Sequence, residues 1–131
     1  MTVDRTPLTR ISGIDTFMRA HQGDVEDLRD GMVAIAGVSY DLSCTSRIGA
    51  RHAPRAIREA SRYYAGQLDR GEMVEITTGQ RMKAPSGVKV IDVGDLNVYP
   101  VEWDKTQHSL RDSMFQLSRT GALPIILGGD H

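Results

Sequence analysis

Met32-Val33-Ala34-Ile35-Ala36-Gly37-Val38 is a nearly unbroken apolar run of strand length that gives way at once to Ser39-Tyr40-Asp41. A strand that is apolar on both alternating faces must be covered on both, the condition of an interior strand in a parallel sheet. Two further runs read the same way: Val88 to Val93, ending in Asp92-Val93-Gly94-Asp95, and Leu123 to Leu127, ending in Gly128-Gly129-Asp130-His131. Helical spacing fills the intervals. Pro54 suits a helix's first position, where its missing N–H would be unpaired anyway. From there Ala56, Ile57, Ala60, Tyr63 and Tyr64 line one apolar face until Gly66 offers a stop. Between Asp104 and Arg119, Leu110, Met114 and Leu117 recur at helical spacing, with Phe115 widening the stripe and Gly121 as cap. Strands alternating with helices predict right-handed βαβ units, an α/β fold with a parallel sheet covered on both faces.

The remaining segments say less. Ile14 to Ala20 is a short helical candidate carrying Ile14, Phe17 and Met18 on its apolar side. Glu72 to Thr77 alternates enough for a short strand, before a turn-rich piece with Gly79, Pro85 and Gly87. The 131 residues are 40% hydrophobic and 25% charged with a net charge of -1, which fits one globular domain over residues 1–131. Lys and Arg are interspersed with Asp and Glu, so there is no nucleic-acid footprint, and no apolar run reaches the roughly 20 residues a membrane helix needs. The single cysteine, Cys44, rules out an internal disulfide framework. With no secretory pattern at Met1-Thr2-Val3-Asp4-Arg5, a cytoplasmic location is expected.

Ligands of open α/β sheets bind beyond the carboxyl ends of the strands, and all three polar clusters fall there. Gly128-Gly129-Asp130-His131 lets the backbone turn tightly and presents a carboxylate and an imidazole, a donor pair suited to a divalent cation or to ordinary structural hydrogen bonds. Asp92 and Asp95 either hold a metal or its histidine ligand, or cap and turn the strand exit. Arg47, Arg51 and Arg58 could bind an anion but are read as ion-pair or subunit-contact residues, and Tyr63 and Tyr64 as core and interface aromatics. Asp104, His108 and Asp112 lie at fourfold spacing on the second helix, either a small metal face or a solvated one. Cys44, with His52 as the nearby base, is either a nucleophile or an ordinary loop thiol.

Taken in order, Gly37-Val38-Ser39-Tyr40-Asp41, then Arg47-Ile48-Gly49-Ala50-Arg51-His52-Ala53-Pro54, then Ala56-Ile57-Arg58, then Asp92-Val93-Gly94-Asp95 and Gly128-Gly129-Asp130-His131 resemble the signature of the ureohydrolase (arginase/agmatinase) family. The opening Gly13-Ile14-Asp15-Thr16-Phe17-Met18-Arg19 resembles the agmatinase branch. The resemblance departs at Ser39, where the family usually has Pro, and at Ala53, where it usually has Gly. It implies a three-layer α/β/α fold, incomplete in this chain, two Mn2+ ions sharing a bridging hydroxide, and hydrolysis of a small guanidino compound such as agmatine to an amine and urea. It implies that His131 is the first histidine ligand and that Asp130 supports it from behind. The family's D-x-H-x-D and D-x-D motifs come after G-G-D-H, so this chain is expected to be the N-terminal portion and inactive alone. The complete protein would be a trimer or hexamer. The other class of reading is a non-catalytic α/β binding or assembly module.

Overall fold

A computed structural model describes residues 13–83 and 87–130. Its main sheet has four strands: β1 (His21–Gln22), β2 (Val33–Val38), β5 (Val90–Asp95) and β6 (Leu123–Gly128). They lie in the order β1-β5-β2-β6, all neighbours parallel. Helix α1 (Ala53–Ser61) and the shorter α2 (Ala65–Arg70) follow β2, and α3 (Trp103–Arg119) follows β5. Strands β3 (Glu72–Val74) and β4 (Arg81–Lys83) form a separate antiparallel ribbon.

The three expected strands are all present and occupy the middle and one side of the sheet. From β2 the chain moves one way to β5 and then back across to β6. Right-handed crossovers in opposite directions put their helices on opposite faces of the sheet. The packing agrees: Ala34 and Ala36 of β2 and Ile91 of β5 share a buried cluster with Leu117 of α3. The alternate residue Asp92 instead faces α1 through Arg58. The result is three layers, α1–sheet–α3, as expected for the α/β/α class, with a parallel sheet incomplete at four strands.

Several expectations give way to the structure. Ile14 to Ala20 is not a helix: it holds one 3-10 turn, Phe17–Arg19, broken by Met18 at φ 49. Gly66 stops nothing, because α1 loosens into a 3-10 turn at Arg62–Tyr64 and α2 then runs through Gly66 to Arg70. The turn-rich piece after Thr77 contains β4, and His21–Gln22 adds a strand that no apolar run announces.

The largest correction is the face that α1 buries. Ala56, Ile57, Ala60, Tyr63 and Tyr64 are exposed, and the buried positions are Pro54, Arg58 and Ser61. Spacing identified a helix but chose the wrong side, because the inward side is held by ion pairs and hydrogen bonds rather than by apolar contact. Tyr63 and Tyr64, 74% and 53% exposed, are therefore not core aromatics. On α3 the apolar stripe does face inward, with Leu117 at 1% exposure, but Phe115 is left 62% exposed. Leu117→Ala should accordingly cost about 2–5 kcal/mol of stability, and Phe115→Ala less than about 1 kcal/mol. Urea denaturation of the two variants, with an equal loss in both, would contradict this placement of the core.

Candidate functional site

The carboxyl edge of the sheet is built around Arg58. The residue is 7% exposed, and its guanidinium grips Asp92 in a fork, Nε to Oδ2 at 2.9 Å and Nη2 to Oδ1 at 3.0 Å. Its third nitrogen, Nη1, donates to Oδ1 of Asp95. Two carboxylates three residues apart would normally point to opposite faces of a strand. Here the register slips between Ile35↔Asp92 and Gly37↔Asp95, a bulge with Gly94 at φ 80, and both acids turn to the same cation.

Each acid accepts further bonds. Asp92, 1% exposed, takes the backbone N–H of Phe17 at 2.7 Å and that of Gly94 at 3.0 Å. Asp95 takes the hydroxyl of Ser39 at 2.6 Å. Burial works against the Arg58 charge, yet the bonds from Asp92 and Asp95 outweigh it and raise its pKa. Ser39, at the family's usual Pro position, thus supplies a donor that proline lacks.

A second pair lies in the loop after β2. Asp41, 1% exposed, sits 2.7 Å from Nε of Arg51 and accepts the backbone N–H groups of Gly49 at 2.7 Å and Arg51 at 3.3 Å. The Arg51 guanidinium, helped by those N–H groups, holds the Asp41 carboxyl below its ordinary range. The reading of Arg51 and Arg58 as ion-pair residues is borne out. Arg47 is exposed and makes no ion pair among the described residues.

The third exit is clamped onto the first. The N–H of Gly129 donates to the carbonyl of Val38 at 3.2 Å and that of Asp130 to the carbonyl of Tyr40 at 2.7 Å. A β-carbon on Gly129 would lie 2.2 Å from the Tyr40 oxygen, so only glycine fits there. This clamp brings Asp130 beside Cys44. Burial, together with the Asp130 and Asp41 carboxylates, pushes the Cys44 thiol up, the opposite of what a nucleophile needs. That direction favours the loop-thiol reading of Cys44 over the nucleophile, and His52 is exposed. Asp130 has one buried oxygen, Oδ2, with no hydrogen-bond partner among the described residues. His131, the expected ligand, lies outside the described residues.

The described residues contain no group of three or more His, Cys, Asp or Glu side chains that could hold a metal. Asp104, His108 and Asp112 are exposed on α3, with His108 Nδ1 at 2.6 Å from the Asp104 carbonyl, which is the solvated-face arrangement. Asp92 and Asp95 are the residues whose role sequence left open. Asp92 does turn the strand exit, through Gly94, but both acids chiefly anchor a buried arginine. The bulge that unites them had one legible signal, the glycine between two aspartates.

A sequence model of the arginase family matches residues 32–131. The guanidinopropionase of Pseudomonas aeruginosa is 32% identical over 98% of this chain and 37% of its own length. The agmatinase of Chromobacterium violaceum is 32% identical over 92% of this chain and 34% of its own. The crystal structure of a hypothetical agmatinase from Burkholderia thailandensis superposes with a TM-score of 0.72 at 28% identity, covering 94% of this chain and 36% of that one. The chain thus spans a little over a third of the length of the relatives it matches.

Two predictions follow from this geometry. Arg58→Met leaves Asp92 charged, buried and without its cation, and should cost about 3–5 kcal/mol in chemical denaturation. A loss under about 1 kcal/mol would show that the fork holds nothing together. Asp41 has a folded pKa below its unfolded value, so the stability it contributes is complete above about pH 4. That stability is lost as the pH falls through the folded value. Asp41→Asn should therefore flatten the acid limb of an unfolding titration followed by circular dichroism, and an unchanged limb would refute the pairing.

Proposed function

This chain belongs to the arginase family, and from that premise we propose that it forms the front part of an amidinohydrolase releasing urea from a small linear guanidino compound. The observation that carries the reading is Asp130. The Gly129 clamp fixes it at the carboxyl edge, with a buried carboxylate oxygen, Oδ2, that has no hydrogen-bond partner among the described residues, directly before His131. Arg51 and Arg58 are already engaged by acids, so neither of them presents a free cation to a positively charged guanidinium there. Names among the relatives, guanidinopropionase, agmatinase and proclavaminate amidinohydrolase, share substrates bearing an amidino group. Agmatine or a guanidino acid is the substrate class we put first.

The resemblance also implies two manganese ions. The described residues do not hold them: they contain no cluster of three donors, and of the four aspartates at the carboxyl edge only Asp130 is without an ion-pair partner among them. The proposal is that catalysis requires ligands beyond those described, and that the 131-residue chain alone hydrolyses nothing.

The test is complementation. The chain, co-expressed with the remaining portion of an arginase-family relative and supplied with manganese, is assayed for urea from agmatine, 3-guanidinopropionate and 4-guanidinobutyrate. Urea from the mixture and none from the chain alone is the expected result. Urea from the chain alone would refute the claim that it is inactive. A folded, manganese-loaded mixture that produces no urea from any of the three would move the chain to the non-catalytic class.

A further inference from the structure

Ser39 is the centre of a three-residue turn at the end of β2. The N–H of Tyr40 donates to the carbonyl of Val38 at 3.0 Å and closes that turn. Ser39 is not among the residues of positive φ, so the turn is the inverse kind common at strand ends, with a central φ of about −75°.

The carbonyls on either side of Ser39 carry the exit of β6. That of Val38 accepts the N–H of Gly129, and that of Tyr40 accepts the N–H of Asp130. A rotation at residue 39 therefore moves one acceptor relative to the other, and Asp130 moves with them. A turn of this size has a single closing bond, and here its acceptor is shared with Gly129.

A second restraint comes from the side chain. The Ser39 hydroxyl donates to Oδ2 of Asp95 at 2.6 Å, a bond strengthened by the carboxylate's charge. Its acceptor is anchored. The other oxygen of Asp95 holds Arg58, and it lies so close over Gly37 that a β-carbon there would collide with it. The next residue, Leu96, donates its N–H to the Gly37 carbonyl at 2.8 Å. The hydroxyl thus fastens the turn to a fixed point on β5, on the opposite side of β2 from β6.

We propose that Ser39 is a positioning residue: its hydroxyl, by holding this turn, sets where the carboxylate of Asp130 stands. The expected effect on urea release rests on the amidinohydrolase reading, whereas the effect on Asp130 itself does not. Two substitutions separate the hydroxyl from the turn it holds. Ser39→Ala removes the tether at the surface and uncovers no buried charge. Ser39→Pro also removes it, but the ring fixes φ at about −65°, close to what the turn requires. The Ser39 N–H donates to no backbone carbonyl among the described residues, and Val38 is already in a strand, so proline meets both of its conditions there.

Hydrogen exchange of the 131-residue chain, resolved by NMR, is measured at the Asp130 amide, with the Ile35 and Leu127 amides in the sheet as references. Ser39→Ala should speed exchange at Asp130 about fivefold or more while the references hold, and Ser39→Pro should bring it back toward the unmodified rate. In the complementing assembly, urea release at saturating substrate should fall about tenfold in Ser39→Ala and recover in Ser39→Pro. Exchange at Asp130 that is unchanged in Ser39→Ala would overturn the proposal. So would a proline variant that exchanges as fast as the alanine one, because the hydroxyl would then act otherwise than by holding the turn. Faster exchange with an unchanged rate of urea release would remove Ser39 from the reaction. An assembly that releases no urea with Ser39 in place counts against the amidinohydrolase reading, and the exchange rates still decide what Ser39 does.

Discussion

The interaction on which the rest of this structure depends is the fork between Arg58 and Asp92, extended to Asp95. Taking a guanidinium and a carboxylate out of water costs several kcal/mol per ion, and only good geometry with further hydrogen bonds repays it. Both conditions are met. The pairing is bidentate, and Asp92 accepts two backbone N–H groups besides. A buried pair of this kind is a weak source of net stability but a source of placement, since parting it leaves a buried charge without its counter-charge. It fixes α1 against the sheet, fixes the exit of β5, and through Phe17 and Ser39 ties down the chain before β1 and the exit of β2.

That placement propagates to the third exit. Once Ser39 and Tyr40 are set, the carbonyls of Val38 and Tyr40 define a surface onto which Gly129 and Asp130 must fit, with no room for a β-carbon at 129. The position of the last carboxylate is thus decided by backbone contacts two strands away from the arginine.

How much of this was legible follows from what kind of force builds each part. The interior strands are held by apolar burial, and apolar burial leaves runs such as Met32 to Val38 that can be read directly. The parallel order and the three layers follow from those runs plus the handedness of crossovers. The inner face of α1 was misread because it is polar: periodicity rewards Ile57 and Tyr63, while the helix turns Arg58 and Ser61 inward. Strand β1 was invisible because His21 and Gln22 join the sheet by backbone hydrogen bonds alone, with exposed side chains. The kink at Met18, with both it and Arg19 at positive φ, breaks a pattern whose local sequence favours a helix. Hydrogen bonds from Phe17 to Asp92 and from Met18 to Ser61 hold it there. Contacts 43 and 75 residues away in sequence are not written in the local pattern.

The charges at the carboxyl edge carry the last step. Four aspartates gather there: Asp41, Asp92, Asp95 and Asp130. Arg51 neutralises the first, and Arg58 is shared by the second and third. Only Asp130 has no ion-pair partner among the described residues and keeps a buried oxygen unbonded. An acidic edge with every carboxylate free would repel itself and titrate as a group. Here two arginines serve three of the acids, so one negative charge is left on the Asp92–Asp95 pair and the one carboxylate of the four with no cation of its own is that of Asp130. That residue sits at the C-terminal end of the strand, where open α/β sheets take their ligands. A site meant for cations, whether metal ions or a guanidinium, needs the rest of its scaffold electrically settled so that it does not compete for them. Arg51 of the R-x-G-x-R segment and Arg58 of the I-R segment contribute that settlement, and this explains why these two basic residues stand so close to an edge proposed to receive positive charge.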